Sequence, residues 1–150
     1  MQWRESVQIE RTLEQTFNYI LETRMQGIPV VNPALAVEAL GFVRANADWV
    51  GILITPWFMN LMLLPGMGSD WTERWPGSKF EEAFPYGVFE FTVAGEPQLG
   101  CYAQCSLFSP MFQFQNQDDA RNAAQAALQA LLTPPKLSRR DLLRGNLGTH

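Results

Sequence analysis

Histidine is almost missing from this sequence: the single copy, His150, is the last residue. Catalytic triads and metal-bound water sites commonly depend on an imidazole that changes charge near neutral pH, so histidine-based catalysis is effectively excluded. Cysteine is nearly as scarce. Cys101 and Cys105 form a lone C-x-x-x-C, and a zinc or iron–sulfur site would need carboxylates or a second subunit to complete it. On one strand the two thiols would share a face about 13 Å apart, too far for a disulfide. They are read as buried or idle thiols, with a redox or metal-handling role as the alternative. Long apolar runs are lacking too. The richest, residues 49–65, is broken by Gly51, Thr55, Pro56 and Asn60 and falls short of the roughly 18 unbroken residues of a membrane span. The first residues lack the basic-then-apolar pattern of a secretory leader. These absences predict a reduced, cytoplasmic protein without membrane insertion, resident metal or cofactor, and not an enzyme.

Charge is unevenly placed. The formal net charge is −4, yet residues 1–135 carry seven Lys/Arg against fourteen Asp/Glu, while residues 136–150 carry four basic residues and one acid. An acidic body repels phosphate, which excludes nucleic acid and anionic lipid as main partners and favours basic ones. Phosphate loops are not present: Gly66-Met67-Gly68 lacks a third glycine, and Gly77-Ser78-Lys79 has P-loop residue types in the wrong order. The pairs Glu81-Glu82 and Asp118-Asp119 read as surface and as a helix start, because neighbouring strand residues point to opposite faces and a helix N-terminus favours acids.

What is present is a clear alternation of periodicities. From residue 8, Ile9, Leu13, Phe17, Ile20 and Leu21 recur at spacings of three and four, giving an amphipathic helix that ends near Gly27 and Pro29; Glu5, Glu10 and Glu14 suit the helix dipole. Strand-like stretches follow at 36–43, 49–64, 87–93 and 100–106, with a short one at 79–82. Asn116 with Asp119 three residues on marks the cap of a second helix over 117–132, and Pro134-Pro135 stops it. Its alanines, Ala120, Ala123, Ala124 and Ala127, allow close packing on a sheet. The fold class expected is α+β: an antiparallel sheet of about five strands with an N-terminal and a C-terminal helix, as one domain over residues 1–135, then a flexible basic tail over 136–150.

The segment 52–64 is apolar at both strand parities. Ile52, Ile54, Phe58, Met62 and Leu64 fall on one face, and Leu53, Trp57, Met59, Leu61 and Leu63 on the other. Two helices cover such a strand incompletely, so part of the surface carrying Pro56, Trp57, Phe58, Met59 and Leu61 is expected to be open to a partner, with Pro56 marking an edge or bulge. The next stretch interleaves Met67, Trp71, Trp75 and Phe84 with Asp70, Glu73, Glu81 and Glu82. Aromatics rimmed by acids suit a ligand that is basic at one end and apolar along the rest; the competing reading is that these aromatics complete the core.

In the tail, Ser138 and Asp141 form a Ser-x-x-Asp capping box, and Ser138-Arg139-Arg140-Asp141-Leu142-Leu143-Arg144 resembles the Ser-Arg-Arg-x-Phe-Leu-Lys motif of twin-arginine export signals. At the C-terminal end, with no apolar region after it, it cannot serve as one; it is a candidate self-ligand or recognition element. Together with Asn32-Pro33-Ala34-Leu35, Ile54-Thr55-Pro56-Trp57-Phe58-Met59-Asn60 and Cys105-Ser106-Leu107-Phe108-Ser109-Pro110-Met111-Phe112, it gives a chain that resembles the HybE/HupJ family of [NiFe]-hydrogenase assembly chaperones over nearly its whole length. The resemblance implies a bacterial, cytoplasmic, non-catalytic accessory protein. Its clients would be the hydrogenase small-subunit precursor with its twin-arginine signal peptide and, as a further candidate, the large subunit, alongside other maturation proteins. Two alternatives remain open: a maturation factor handling metal or electrons through Cys101 and Cys105, and a scaffold joining the hydrogenase subunits.

Overall fold

The computed structural model describes residues 3–135. The order of elements is α1 (Ser6–Arg24), β1 (Glu38–Ala45), β2 (Asp48–Ile54), β3 (Met59–Leu64), β4 (Lys79–Phe84), β5 (Gly87–Glu96), β6 (Gly100–Phe108) and α2 (Gln117–Leu131). The strands form one antiparallel sheet in the order β1-β2-β3-β6-β5-β4, two meanders joined where β3 pairs with β6. The fold is therefore α+β, with six strands instead of about five. The extra strand comes from residues 49–64, which the alternation presents as one stretch. Thr55 ends the first strand by accepting the backbone N–H of Trp57 and of Phe58 on its hydroxyl, at 3.2 and 3.0 Å. The chain reverses there and Pro56 sits in the turn, where it needs no ladder donor.

That reversal resets the parity. Met59, Leu61 and Leu63 pair with Ile54, Ile52 and Val50 and share their face, whereas Leu53, Met62 and Leu64 lie on the other. Both faces of β2 and β3 are buried along their whole length, contrary to the open surface expected. Helix α1 covers one face through Ile9, Leu13, Phe17 and Ile20, against Phe42, Leu53 and Met62. On the other, α2 lays down Ala120, Ala124, Leu128 and Leu131 against Val50, Ile52 and Leu61. One helix per face is sufficient because each apolar face is narrow, the acidic and alternating β4 and β5 being left half-exposed.

Two local readings change in the structure. Glu10 and Glu14 do not sit in the first turn of α1; their carboxylates accept the N–H groups of Phe42 and Ala39 on β1, covering an otherwise unpaired sheet edge. Asn116 does cap α2, its side chain accepting from the Asp119 N–H at 2.8 Å. The sheet also curls. Asn46, at positive φ in the two-residue β1–β2 turn, donates to Glu82 Oε1 and to the Ala83 carbonyl, at 3.1 and 2.9 Å. The tip of the first hairpin thus touches the strand at the opposite edge. Asparagine tolerates the left-handed conformation that such a turn requires.

Candidate functional site

Where that hairpin tip, the 65–78 loop and β4 meet, they enclose a cleft of about 440 Å³. Its charged lining is Asp48, Asp70, Glu81 and Glu82, against Arg74 alone. The loop is pinned at its base. Gly66 packs directly on the Ala47 carbonyl, where a Cβ would collide with backbone, and donates its N–H toward Asp48 and the Ser69 hydroxyl. Asp48 also accepts the Ser69 hydroxyl on Oδ1 and the Trp71 indole N–H on Oδ2, the latter at 3.0 Å. These bonds satisfy a carboxylate that is only 4% exposed, yet none brings a counter-charge, and Asp48 has no ion pair among the described residues.

An aromatic floor supports the cleft. Trp71 stacks on Phe80 at 5.3 Å between ring centroids, and Phe80 on Phe91 at 6.1 Å. The Arg74 guanidinium lies over the Phe80 ring. Burial, reinforced by the charges of Asp48 and Asp70, pushes the Glu82 carboxyl above the usual carboxylate range, with the Asn46 hydrogen bond opposing. Next in sequence to the lining residues Gly68 and Arg74, Met67 and Trp75 are 74% and 84% exposed. A cation, above all a guanidinium that can meet carboxylates in pairs, would relieve this excess of negative charge.

At the far end of β2 and β3 the surroundings are different. Asn32 is the hub: its N–H donates to the Pro56 carbonyl, its amide nitrogen to the carbonyls of Met111 and Phe114, and its amide oxygen accepts from Ala34. The Asn32 and Ser109–Phe112 segments, distant in sequence, therefore close on the Thr55–Phe58 turn. Trp57 and Phe58 are half-buried, in edge contact with each other, and Phe58 contacts Phe17. Pro56, Met59 and Leu61 are buried and cannot present a surface to a partner.

The ten body residues picked from the sequence thus fall into two groups at opposite ends of a hairpin. Trp71, Glu81 and Glu82 line the cleft with Met67 and Trp75 on the loop beside it, while Pro56, Trp57, Phe58, Met59 and Leu61 belong to the other end. Trp71 and Phe84 are buried, as the core reading of the aromatics has it, whereas Trp75 and Met67 are not. Asp48, Asn46 and Arg74 are cleft residues that the sequence reading passed over. An acid opening a wholly apolar strand, and an asparagine in a two-residue gap between strands, were the available signals. Ser138, Arg139, Arg140, Leu142, Leu143 and Arg144 lie outside the described residues.

Cys101 and Cys105 are half-buried on β6, on the α2 face, and burial raises both thiols. Activation of a thiol requires the opposite shift. Among the described residues no group of three or more His, Cys, Asp or Glu is placed to hold a metal ion, and no helix is long and apolar enough to cross a membrane.

The family model described as "[NiFe]-hydrogenase assembly, chaperone, HybE" matches residues 8–145. The hydrogenase expression/formation protein HupJ of Bradyrhizobium diazoefficiens is 40% identical over 149 residues, covering 90% of this chain and 86% of that protein. Protein HoxT of Cupriavidus necator is 47% identical over 136 residues, covering 83% and 76%. The solution structure of HybE from Escherichia coli shares the fold, with a TM-score of 0.69 at 24% identity, over 85% of this chain and 78% of that one.

Proposed function

We propose that this chain, which belongs to the HybE family of [NiFe]-hydrogenase assembly chaperones, holds a hydrogenase precursor in its acidic cleft until assembly is complete. The segment held is the twin-arginine signal peptide of the small subunit, bound in the bacterial cytoplasm before cofactor insertion, with the large subunit as a second client. No covalent step is involved: the chain binds, shields and releases.

The observation that carries this reading is the cleft's composition, four carboxylates against one guanidinium, with Trp75 and Met67 exposed on the loop that supplies part of its lining. Arginine side chains would lie between Asp70, Glu81 and Glu82, where planar N–H pairs meet carboxylate oxygens, and the apolar part of the peptide would lie on the exposed Trp75 and Met67. Asp48, buried beneath, adds field without needing contact. The β2–β3 turn would act as a rigid support instead of a contact.

Isothermal titration with a synthetic twin-arginine signal peptide tests this. Binding should weaken as salt is raised, since exposed charge pairs are screened, and should be lost when both peptide arginines are replaced by glutamine. Equal binding of the glutamine peptide would overturn the cleft reading. In cells, a small subunit stripped of its signal that co-purifies as well as the intact precursor would favour the scaffold role instead.

A further inference from the structure

A second pocket, of about 250 Å³, lies beside α1 and shares no lining residue with the acidic cleft. It forms where the C-terminal half of α1 passes the β5–β6 turn: Thr16, Tyr19 and Arg24 come from the helix, and Glu96, Pro97 and Gln98 from the turn. The turn is fixed by its own residues. Leu99 donates its N–H to the Glu96 carbonyl across Pro97, whose locked φ suits a turn, and Gly100 takes the positive φ that returns the chain into β6. Leu99 is fully buried in the cluster that α1 builds with Leu13 and Phe17, so helix and turn are held together.

Thr16 is the unexplained group in this pocket. Of the three threonines of α1, Thr12 and Thr23 donate their hydroxyls to the carbonyls one turn back, those of Gln8 and Tyr19, at 2.8 and 2.7 Å. Thr16 is only 3% exposed, and its hydroxyl makes neither that bond nor any other among the described residues. An enclosed hydroxyl without a partner costs stability, and valine would fill the same space without that cost. Packing therefore does not account for the hydroxyl, and the pocket that Thr16 borders is where a partner for it can enter.

The rest of the lining restricts what that partner is. Arg24 and Glu96 meet in two parallel bonds, Nη1 to Oε2 at 3.3 Å and Nη2 to Oε1 at 3.1 Å, so the charges of the pocket cancel. A charged ligand would have to break this pair, whereas a neutral one leaves it standing. The Tyr19 and Pro97 rings supply flat apolar wall, and the Arg24 guanidinium favours the face of an aromatic ring. The volume is below the roughly 300–1,000 Å³ of sites for drug-sized ligands, and suits a single side chain. A ring bearing one hydroxyl meets each of these conditions, because a phenol both donates and accepts and so matches the Thr16 hydroxyl whichever way it turns.

We propose that this pocket receives the side chain of a tyrosine carried by a protein partner, its hydroxyl bonded to Thr16 and its ring held by Tyr19, Pro97 and the Arg24 guanidinium. A polypeptide is favoured over a free phenol because about half of the Tyr19 surface stays exposed around the pocket, area that only a larger ligand can cover. The site gives the chain a second point of contact with a partner and does not depend on what the acidic cleft binds.

The test uses the full chain, two-dimensional NMR, and p-cresol, toluene and N-acetyl-tyrosinamide as probes. At millimolar concentration p-cresol should shift the amides of Thr16, Tyr19 and Gln98 and leave those of Asp70 and Glu81 in place. Toluene, the same ring without the hydroxyl, should bind about fivefold more weakly, the worth of one neutral hydrogen bond. To Thr16→Val the two should bind alike. That variant should unfold in urea no earlier than the unaltered chain, since the hydroxyl it removes has no partner in the fold. The tyrosine amide should bind at least as tightly as p-cresol. Unmoved Thr16 and Gln98 amides, or equal affinity of the unaltered chain for toluene and p-cresol, would overturn the site. A less stable Thr16→Val would overturn it too, by showing that the hydroxyl is already bonded within the fold. Binding of p-cresol without binding of the tyrosine amide would overturn the protein source.

Discussion

The two ends of the β2–β3 hairpin are built from similar material and serve different purposes. Each is a place where a loop returns to the sheet, and each has aromatic residues and a buried polar side chain at its centre. At the turn end the centre is Asn32, whose neutral amide bonds the backbone of Met111, Phe114 and Ala34 and whose own N–H donates to Pro56. At the cleft end it is Asp48, whose hydrogen bonds are met but whose charge is not, with three more carboxylates nearby. A neutral, satisfied hub locks loops together, while a charged one surrounded by like charges costs stability unless something positive arrives. The first pattern suits a joint between loops, and the second suits the binding role proposed for the cleft. At the turn end one buried polar atom, Asn60 Oδ1, lacks a partner, although its amide nitrogen donates to Gln104.

This contrast can be broken by experiment, beginning with the largest effect. Asn32→Ala should lower stability by about 3 kcal/mol, because it leaves two loop carbonyls and an N–H without their partner, and peptide affinity should hardly change. Urea unfolding together with titration of the folded protein checks both; a loss of affinity at unchanged stability would reverse the roles of the two ends. In the cleft, Glu81→Gln should do the opposite. Affinity for a twin-arginine peptide should fall about tenfold, near 1.4 kcal/mol, with the unfolding midpoint unmoved. Trp75→Ala comes next: about 1 kcal/mol of affinity is expected to go, without a salt dependence of its own, because the ring contributes area and not charge.

The smallest effect is a matter of pH. Glu82 in the folded chain is held above the usual carboxylate range, chiefly by burial and then by Asp48 and Asp70. The folded state therefore takes up its proton at a higher pH than the unfolded state. Stability is greatest below the unfolded value and falls as pH rises through the interval up to the folded one. Glu82→Gln should abolish that fall, raising stability at neutral pH by less than about 1 kcal/mol for a half-buried group still screened by solvent, with no gain in acid below the interval. A gain of the same size at every pH would mean that packing, and not charge, is responsible.

Much of this could be read along the chain because it depends on neighbours. The spacing Ile9, Leu13, Phe17 and Ile20 made α1 visible, Asn116 with Asp119 marked the start of α2, and the alternation from residue 87 marked β5. The motif strings carried the family, and the mixture of acids and aromatics read after residue 65 includes four of the residues that line the cleft, Asp70, Trp71, Glu81 and Glu82. What escaped was every judgement about which side of the sheet a residue faces beyond a turn. Parity carried across Thr55–Phe58 placed Met59 and Leu61 with Leu53, and the reversal there put them on the opposite face, buried under α2. Glu10 and Glu14 escaped for a related reason, since their partners are backbone groups of a strand some 25 to 32 positions away.

The sequence by itself determined most of the elements, the acidic body with its basic tail, the scarcity of histidine and cysteine, and the family, because each is a property of residue type and local spacing. Only the tertiary structure decided where charge accumulates. Asp48 lies far along the chain from Asp70 and Glu82, and nothing local indicates that it shares a cleft with them. They meet because the sheet curls until Asn46, at the tip of one edge hairpin, reaches Glu82 and Ala83 on the other edge. Electrostatic interaction depends on distance in space, so an acidic site assembled from three loops and strands exists only once the sheet has curled.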